Sequence, residues 1–276
     1  IEKKPLFHFY PGTTAFSIAT AGCNIECAYC QNWEISQRRP EQTQNVYMPP
    51  KSVVQLAKRY KCKSIAFTYT EPVIFYEYMY DISRLARKRG VKSVMITNAF
   101  IEPKPMREAC RYLDAVKVDF KGFTEQFYRK VCRGQLKPVL KALETIKATG
   151  TWLELVVLIV PGLNDSPSET KRMCQWIKAN LGVDTPLHFT RFIPMYKLRN
   201  LPPTPVSTLE RCYNIARAVG LRYVYIGNVQ GHRAESTYCP KCGKVVIRRY
   251  GYYTDASKLR NGKCAHCGYK IPGIWS

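Results

Sequence analysis

Seven short apolar runs, separated by segments of helical periodicity, constrain this chain more than any other feature. The runs are AFSIAT (15–20), SIAFTYT (64–70), KSVMITN (92–98), DAVKVDF (114–120), WLELVVLIV (152–160), LHFTRFI (187–193) and YVYIG (223–227). Between them, KSVVQLAKRYK, YEYMYDISRLARKRG, LKPVLKALETIKATG, SETKRMCQWIKANLG and STLERCYNIARAVG repeat apolar residues at helical spacing. Gly90, Gly150, Gly182 and Gly220 supply left-handed helix stops, and DSPSE and PVSTLE supply helix starts. About six strand–helix alternations imply an α/β fold, with a parallel sheet covered by helices as an open sheet or a barrel. Chemistry in such folds collects at the C-terminal ends of the strands.

Polar residues break in where the runs stop. Cys23 follows the first, Thr70 and Glu71 the second, Asn98 the third, and Asp119 and Lys121 the fourth, so all are expected on one rim. The chain divides into an N-terminal extension (1–13), the α/β unit (14–237) and a small module (238–276). Opening on Ile1 in the stretch IEKKPLFHFYPG, it is expected to lack an upstream piece.

The 276 residues, 46% hydrophobic, suffice for a full core. Neither an apolar run of about 18 residues nor a signal segment is present, so a cytoplasmic protein is expected, away from membranes. Lys and Arg total 43 against 20 acidic residues, a formal charge of +23. That excess predicts attraction to a polyanion such as nucleic acid. Thermophile proteins are also rich in charge, but they balance the two signs, as this chain does not.

Twelve cysteines fall as a cluster of three, two pairs, and singles at Cys62, Cys110, Cys132, Cys174 and Cys212. Such grouping is metal-ligand arithmetic in a reducing compartment, with the singles read as small buried hydrophobes. TAGCNIECAYCQNW (20–33) holds Cys23, Cys27 and Cys30 within eight residues. A 4Fe-4S cubane offers one position per iron, so three thiolates leave one corner open, shielded by Tyr29 and Trp33. The alternatives are a structural zinc that borrows a fourth ligand, or three core cysteines.

At these residues the chain resembles the radical S-adenosylmethionine (SAM) superfamily, whose motif is similar to CNIECAYC. FTYTEP (67–72), ITNA (96–99), VDFK (118–121) and VVLIVPGLND (156–165) stand where that superfamily and its pyruvate formate-lyase activating-enzyme branch carry related landmarks, spanning roughly residues 14–230. PLFHFYPG, GCNIECAYCQNWEISQ, PLHFTRF and VYIGNVQG are similar to the AmmeMemoRadiSam group within that branch. Tyr69, Thr70 and Ala99 depart from the superfamily pattern by replacing glycines.

The resemblance implies a partial (β/α)6 radical SAM barrel, in which SAM completes the open iron of a cluster held by Cys23, Cys27 and Cys30. Glu71 with the Thr70 backbone is suited to the methionine ammonium, Lys121 to its carboxylate, Asp119 to a ribose hydroxyl, and Asn98 to either end. His188 and Arg191 point to opposite sides of a regular strand, so one of the two is expected to face the cofactor. Gly227 and Asn228 are placed along the adenine. Plainer roles stand beside these: Glu71 as a strand-end turn, and Asp119 with Lys121 as a solvated ion pair. His8, His232 and His266 have no evident partner.

CPKCG (239–243) and CAHCG (264–268) form a zinc-ribbon pattern with Cys239, Cys242, Cys264 and Cys267 as ligands. A second iron–sulfur cluster would use the same thiolates. Between the knuckles Lys244, Arg248, Arg249, Lys258, Arg260 and Lys263 mingle with Tyr250, Tyr252 and Tyr253, which suits single-stranded RNA or a ribbon packed on the barrel by its tyrosines.

The expected activity is hydrogen abstraction by a 5'-deoxyadenosyl radical from a large anionic substrate such as RNA. Two other readings are a glycyl-radical-enzyme activase acting on a protein, and a nucleic-acid-binding scaffold with a structural cluster. A monomer served by a low-potential donor such as ferredoxin or flavodoxin is expected.

Overall fold

The computed structural model describes residues 1–276. Seven strands, β1 (Ala15–Ile18), β2 (Ser64–Phe67), β3 (Lys92–Thr97), β4 (Ala115–Asp119), β5 (Trp152–Ile159), β6 (Leu187–Arg191) and β7 (Val224–Gly227), form one sheet in sequence order. Every neighbouring pair is parallel, and β1 does not pair with β7. The result is an unclosed α/β barrel with a lateral gap between its first and last strands.

Six helices connect the strands: α1 (Pro50–Arg59), α2 (Tyr76–Lys88), α3 (Pro103–Cys110), α4 (Leu136–Thr149), α5 (Pro167–Asn180) and α6 (Val206–Val219). Each buries an apolar stripe against the outer face of the sheet, where the largest core runs from Val53 through Phe67, Val118, Leu155 and Phe189 to Ala216. Helix α3 is the one that periodicity did not single out. Pro103 and Pro105 both sit in its first turn, where an N–H has no partner to lose. Gly90, Gly150, Gly182 and Gly220 have φ of 70°, 77°, 91° and 105°, the left-handed stops the sequence called for.

The inner face of the sheet is filled by residues 1–10. Leu6 and Phe9 pack on Ala66, Val94, Ile96 and Ala115, whose modest side chains leave room for them. Beneath them lies a buried polar knot. Glu154 on β5 accepts from the backbone N–H of Phe7 (3.0 Å) and His8 (2.8 Å), from Trp152 Nε1 (3.0 Å) and from His188 Nε2 (2.8 Å). Burial opposes its charge, but His188 and His8 beside it hold the carboxyl below its ordinary range. His8 is therefore not unpartnered: its Nδ1 lies 2.6 Å from Pro272 O, and its Nε2 2.6 Å from the Tyr225 hydroxyl.

The C-terminal module combines a three-stranded antiparallel sheet, β8 (Thr237–Tyr238), β9 (Val245–Tyr250) and β10 (Tyr253–Asp255), with a hairpin of β11 (Leu259–Arg260) and β12 (Lys263–Cys264). It clasps the N-terminal segment from below. Arg249 donates to Phe7 O (2.7 Å) and Thr237 Oγ1 (2.9 Å), lies 4.1 Å over the Phe7 ring, and pairs with Glu2 at 3.6 Å. Phe9 bridges Ile274. No helix is long and apolar enough to cross a membrane.

Candidate active site

The polar strand ends meet as the C-terminal-end rule requires. A cavity of about 500 Å³ is lined by Cys23, Cys27, Cys30, Thr70, Glu71, Asn98, Asp119, Lys121 and Asn228, residues from five segments far apart in sequence. Its lining adds Lys117 and Thr190 from the strands and the buried Lys4 with Pro5 from the N-terminal segment, while the exposed Lys3 and Tyr252 of the C-terminal module stand at its edge.

The three-cysteine loop is pinned by its backbone. Glu26 N–H donates to Cys132 O (3.0 Å), Ala28 N–H to Val131 O (2.8 Å), and Lys197 N–H to Ala28 O (2.9 Å). Tyr29 is buried beside Phe127 and Cys132, and Trp33, half-buried, stacks on Tyr196. Cys132 is fully buried, as expected of a single cysteine, but its sulfur sits 3.5 Å from the Tyr29 hydroxyl in the packing that backs the loop. Burial pushes the Cys23 thiol up to about 12, so a positive centre is needed to ionise it. Three soft sulfur donors on a tight loop, open to one cavity, fit an iron–sulfur cluster with an unfilled corner.

Glu71 organises the rim. Its Oε1 accepts from Thr97 Oγ1 (2.6 Å) and Val73 N–H (3.1 Å), and its Oε2 from Asn98 N–H (2.7 Å), which ties the ends of β2 and β3 together. Three of about four acceptor positions are thus used, leaving one for a ligand. Burial pushes its pKa up to about 7 despite these bonds. Thr70 Oγ1 ties the same turn to Thr20 O at 2.6 Å. The Asn98 side chain serves the loop: its Nδ2 donates to Asn24 Oδ1 (2.8 Å) and toward Cys23 Sγ (3.7 Å), and its Oδ1 accepts from Phe100 N–H (2.8 Å). Such N–H···S contacts orient a sulfur ligand and tune its donor strength. Two of the three residues that replace superfamily glycines, Tyr69 (φ 68°) and Ala99 (φ 57°), adopt the left-handed conformation that glycine takes most readily.

Asp119 sits between two cations, 2.5 Å from Lys117 Nζ and 3.9 Å from Lys121 Nζ. Burial raises the cost of its charge, but the two lysines outweigh it and hold the carboxyl below its ordinary range. Against its own burial, Lys121 is held protonated in turn by Asp119.

The three cysteines and the polar ends of β2, β3 and β4 lie within one family segment. Residues 17–177 match the Radical SAM superfamily. The chain belongs to the radical SAM superfamily. It is 47% identical over 273 residues to the uncharacterized protein MJ0808 of Methanocaldococcus jannaschii, covering 98% of this chain and 81% of that protein. A crystal structure of a radical SAM methyltransferase from Sphaerobacter thermophilus superposes with a TM-score of 0.62 at 15% identity, covering 86% of this chain and 71% of the other. A domain of pyruvate-formate lyase-activating enzyme from Bacteroides vulgatus gives 0.52 at 16% identity, covering 60% and 99%. Both share the barrel. Membership in the radical SAM superfamily implies a 4Fe-4S cluster and SAM as cofactors.

Two expected residues fall outside the radical SAM cavity. His188 shares the inward face of β6 with Thr190, but two residues deeper, where its ring is sealed by Phe7 and bonded to Glu154. Arg191 points to the other face and donates from Nε to Thr204 O at 2.8 Å. Thr190 is the β6 residue that lines the cavity, and the two-residue strand period starting at His188 carried that signal. The same period links Lys117 to Asp119. No local pattern marks Lys3 or Lys4.

In the C-terminal module, the sulfurs of Cys239, Cys242, Cys264 and Cys267 lie within 4.8 Å of one another. The Cys239–Cys267 and Cys242–Cys264 separations of 3.6 and 3.8 Å fit a tetrahedral ion, for which metal–sulfur bonds of about 2.3 Å predict roughly 3.8 Å. Gly243 and Gly268 turn with φ of 71° and 72°, each N–H closing on the first cysteine carbonyl of its own knuckle. Lys244 N–H brings the Cys242 thiol down to about 7, favouring the thiolate. Arg249 is lost to the proposed cationic face because its side chain is locked against Phe7. Arg248, Tyr250, Tyr252 and Tyr253 are exposed. His232 also has partners, Ala234 N–H and Glu210.

Proposed function

We propose that this radical SAM protein is a hydrogen-abstracting enzyme for a large anionic substrate, with RNA as the leading candidate. The observation that carries the reading is the single cavity shared by Cys23, Cys27 and Cys30 and the polar ends of β2, β3 and β4. When bound, the cluster and SAM supply reductive cleavage of a sulfonium carbon–sulfur bond and a 5'-deoxyadenosyl radical. The chain's own contribution is placement. Cys23, Cys27 and Cys30 hold the cluster, and Asn98 orients Cys23. Glu71 fixes the β2 and β3 ends and offers its free acceptor position to an ammonium, while Lys121 receives a carboxylate and Asp119 a ribose hydroxyl. Pro5 and Tyr69 line the same cavity.

RNA is favoured by the edge of the cavity. Tyr252 reaches it from the β9–β10 turn, 72% exposed, with Tyr250 and Tyr253 at 59% and 69% and Arg248 beside them. Exposed rings for unstacked bases and a net charge of +23 are the elements of a single-strand platform. Zinc in the four-cysteine site would hold that turn in place.

Anaerobic reconstitution with iron and sulfide, reduction, and addition of SAM should release 5'-deoxyadenosine. Its absence would refute the enzyme reading and leave a scaffold. Deuterium transfer from labelled RNA into 5'-deoxyadenosine is the expected outcome, and transfer from a protein glycine would replace RNA by a glycyl-radical enzyme.

A further inference from the structure

The cavity holds one buried cation that nothing in the chain neutralises. Lys4 is 6% exposed, yet its ammonium has no carboxylate within salt-bridge distance and rests 4.1 Å over the Tyr69 ring. The other charges of the wall are committed. Asp119 serves both Lys117 and Lys121, and Glu71 accepts from Thr97, Asn98 and Val73. Lys4, Lys117 and Lys121, joined by the exposed Lys3, therefore outnumber Asp119 and Glu71 among the charged side chains that line the cavity. The implied cofactors do not remove it: an oxidised cubane on three thiolates carries a single negative charge and SAM a single positive one.

The position of Lys4 is built. Its neighbours Leu6 and Phe9 are sealed in the barrel interior, and Arg249 clamps the same segment from below. Tyr69, the ring under the ammonium, holds a left-handed backbone, a conformation that costs a bulky residue of order 1 kcal/mol or more. Burial, together with Lys3 and Lys117, pulls the Lys4 pKa down to about 8, which marks an ammonium short of a counter-charge.

We infer that Lys4, backed by Lys117, is a subsite for an oxyanion of the substrate, a phosphate or a carboxylate, set deep in the cavity on the N-terminal segment. This rests on the proposed function for the cavity as the site of reaction. It adds that the reacting group is fixed by its own negative charge, supplied either by a phosphate, as in a nucleotide, or by a carboxylate. Charge-assisted bonds of this kind are the stronger class of polar contact.

Inorganic phosphate and oxalate, titrated calorimetrically into the reconstituted, SAM-saturated full chain, test the subsite. Lys4→Met keeps the aliphatic stem over Tyr69 and should weaken the preferred probe about tenfold or more, whereas Lys4→Arg should stay within about threefold. Lys88→Met, at an exposed helix position, should change nothing. Tighter phosphate assigns a phosphate substrate, and tighter oxalate a carboxylate one. Unaltered affinity in Lys4→Met, an equal loss in Lys88→Met, binding of neither probe, or displacement of SAM by the probe would each overturn the inference. If Lys4→Met does not fold, protection of wild-type Lys4 from an amine-reactive reagent by the probe, read by mass spectrometry, decides; no protection overturns it. Lost anion affinity in a protein that never forms 5'-deoxyadenosine would refute the proposed function and leave the subsite. Active protein whose Lys4→Met variant binds normally would do the reverse.

Discussion

Two buried glutamates at opposite ends of one barrel show what each end is for. Glu154, at the floor, accepts from four donors, two of them imidazole and indole, and stays ionised. Glu71, at the rim, accepts from a hydroxyl and two amides and is pushed up to about 7. Equal burial gives opposite outcomes because the floor closes its network with titratable partners and the rim leaves acceptor capacity open toward a cavity. The cysteines repeat the contrast, three on an open loop and four around a closed point.

Cys27→Ala should break the rim most severely, taking 5'-deoxyadenosine formation to background while circular dichroism shows an intact barrel; retained SAM cleavage would remove Cys27 from the cluster. At the floor, Glu154→Leu should strand the Phe7 and His8 amides and lower stability by about 3–5 kcal/mol in urea titration. A fall under about 1 kcal/mol would mean that the N-terminal segment is not held there. Cys242→Ala should release the metal of the closed site and loosen the β9–β10 turn, measured as metal content and proteolysis, yet spare SAM cleavage. Parallel loss of cleavage would instead point to an electron-carrying cluster.

The two ends also oppose one another in pH. Glu71, raised from 4.5 to about 7, favours the protonated native state, so its contribution is largest below 4.5 and disappears as pH rises to 7. His8, lowered by burial from 6.5 to about 4, favours the neutral native state, so its contribution is present above 6.5 and lost as pH falls to 4. Between about pH 4.5 and 6.5 the slopes offset. Glu71→Gln should unmask the floor histidines, His8 and the likewise lowered His188, with stability climbing by at least about 1.4 kcal/mol per pH unit across that window; a flat profile would refute the pairing. Tyr69→Gly, which relieves a strained φ but removes the ring under Lys4, should shift stability least, by under about 1 kcal/mol in thermal unfolding.

Much of the rim was legible in the chain. Apolar runs located all seven strands, and the polar residue after each of the first four landed in the cavity, because that prediction needs only strand direction. The floor was not legible. His188 seemed a candidate for the cofactor because its partner, Glu154, is set by the β5–β6 register, which no local pattern reveals. Lys4, His8 and Arg249 meet their partners across as many as 264 residues, and Arg249 reads as a surface cation until Phe7 is placed beneath it. Helix α3 was not singled out, since its eight residues are too few for a clear helical period and its prolines are harmless in a first turn.

The bridge from Phe9 to Ile274 sets a timetable. At a synthesis rate of about 5–20 residues per second, the segment that fills the barrel waits roughly 10–50 seconds for the strands and clasp that hold it. Until residue 274 has left the ribosome, Leu6, Phe9 and the inner face of the sheet lack their seal, and the nascent chain carries an exposed apolar surface. The barrel is therefore finished last at the end filled by residues 1–10, and an assisting chaperone would find its client there.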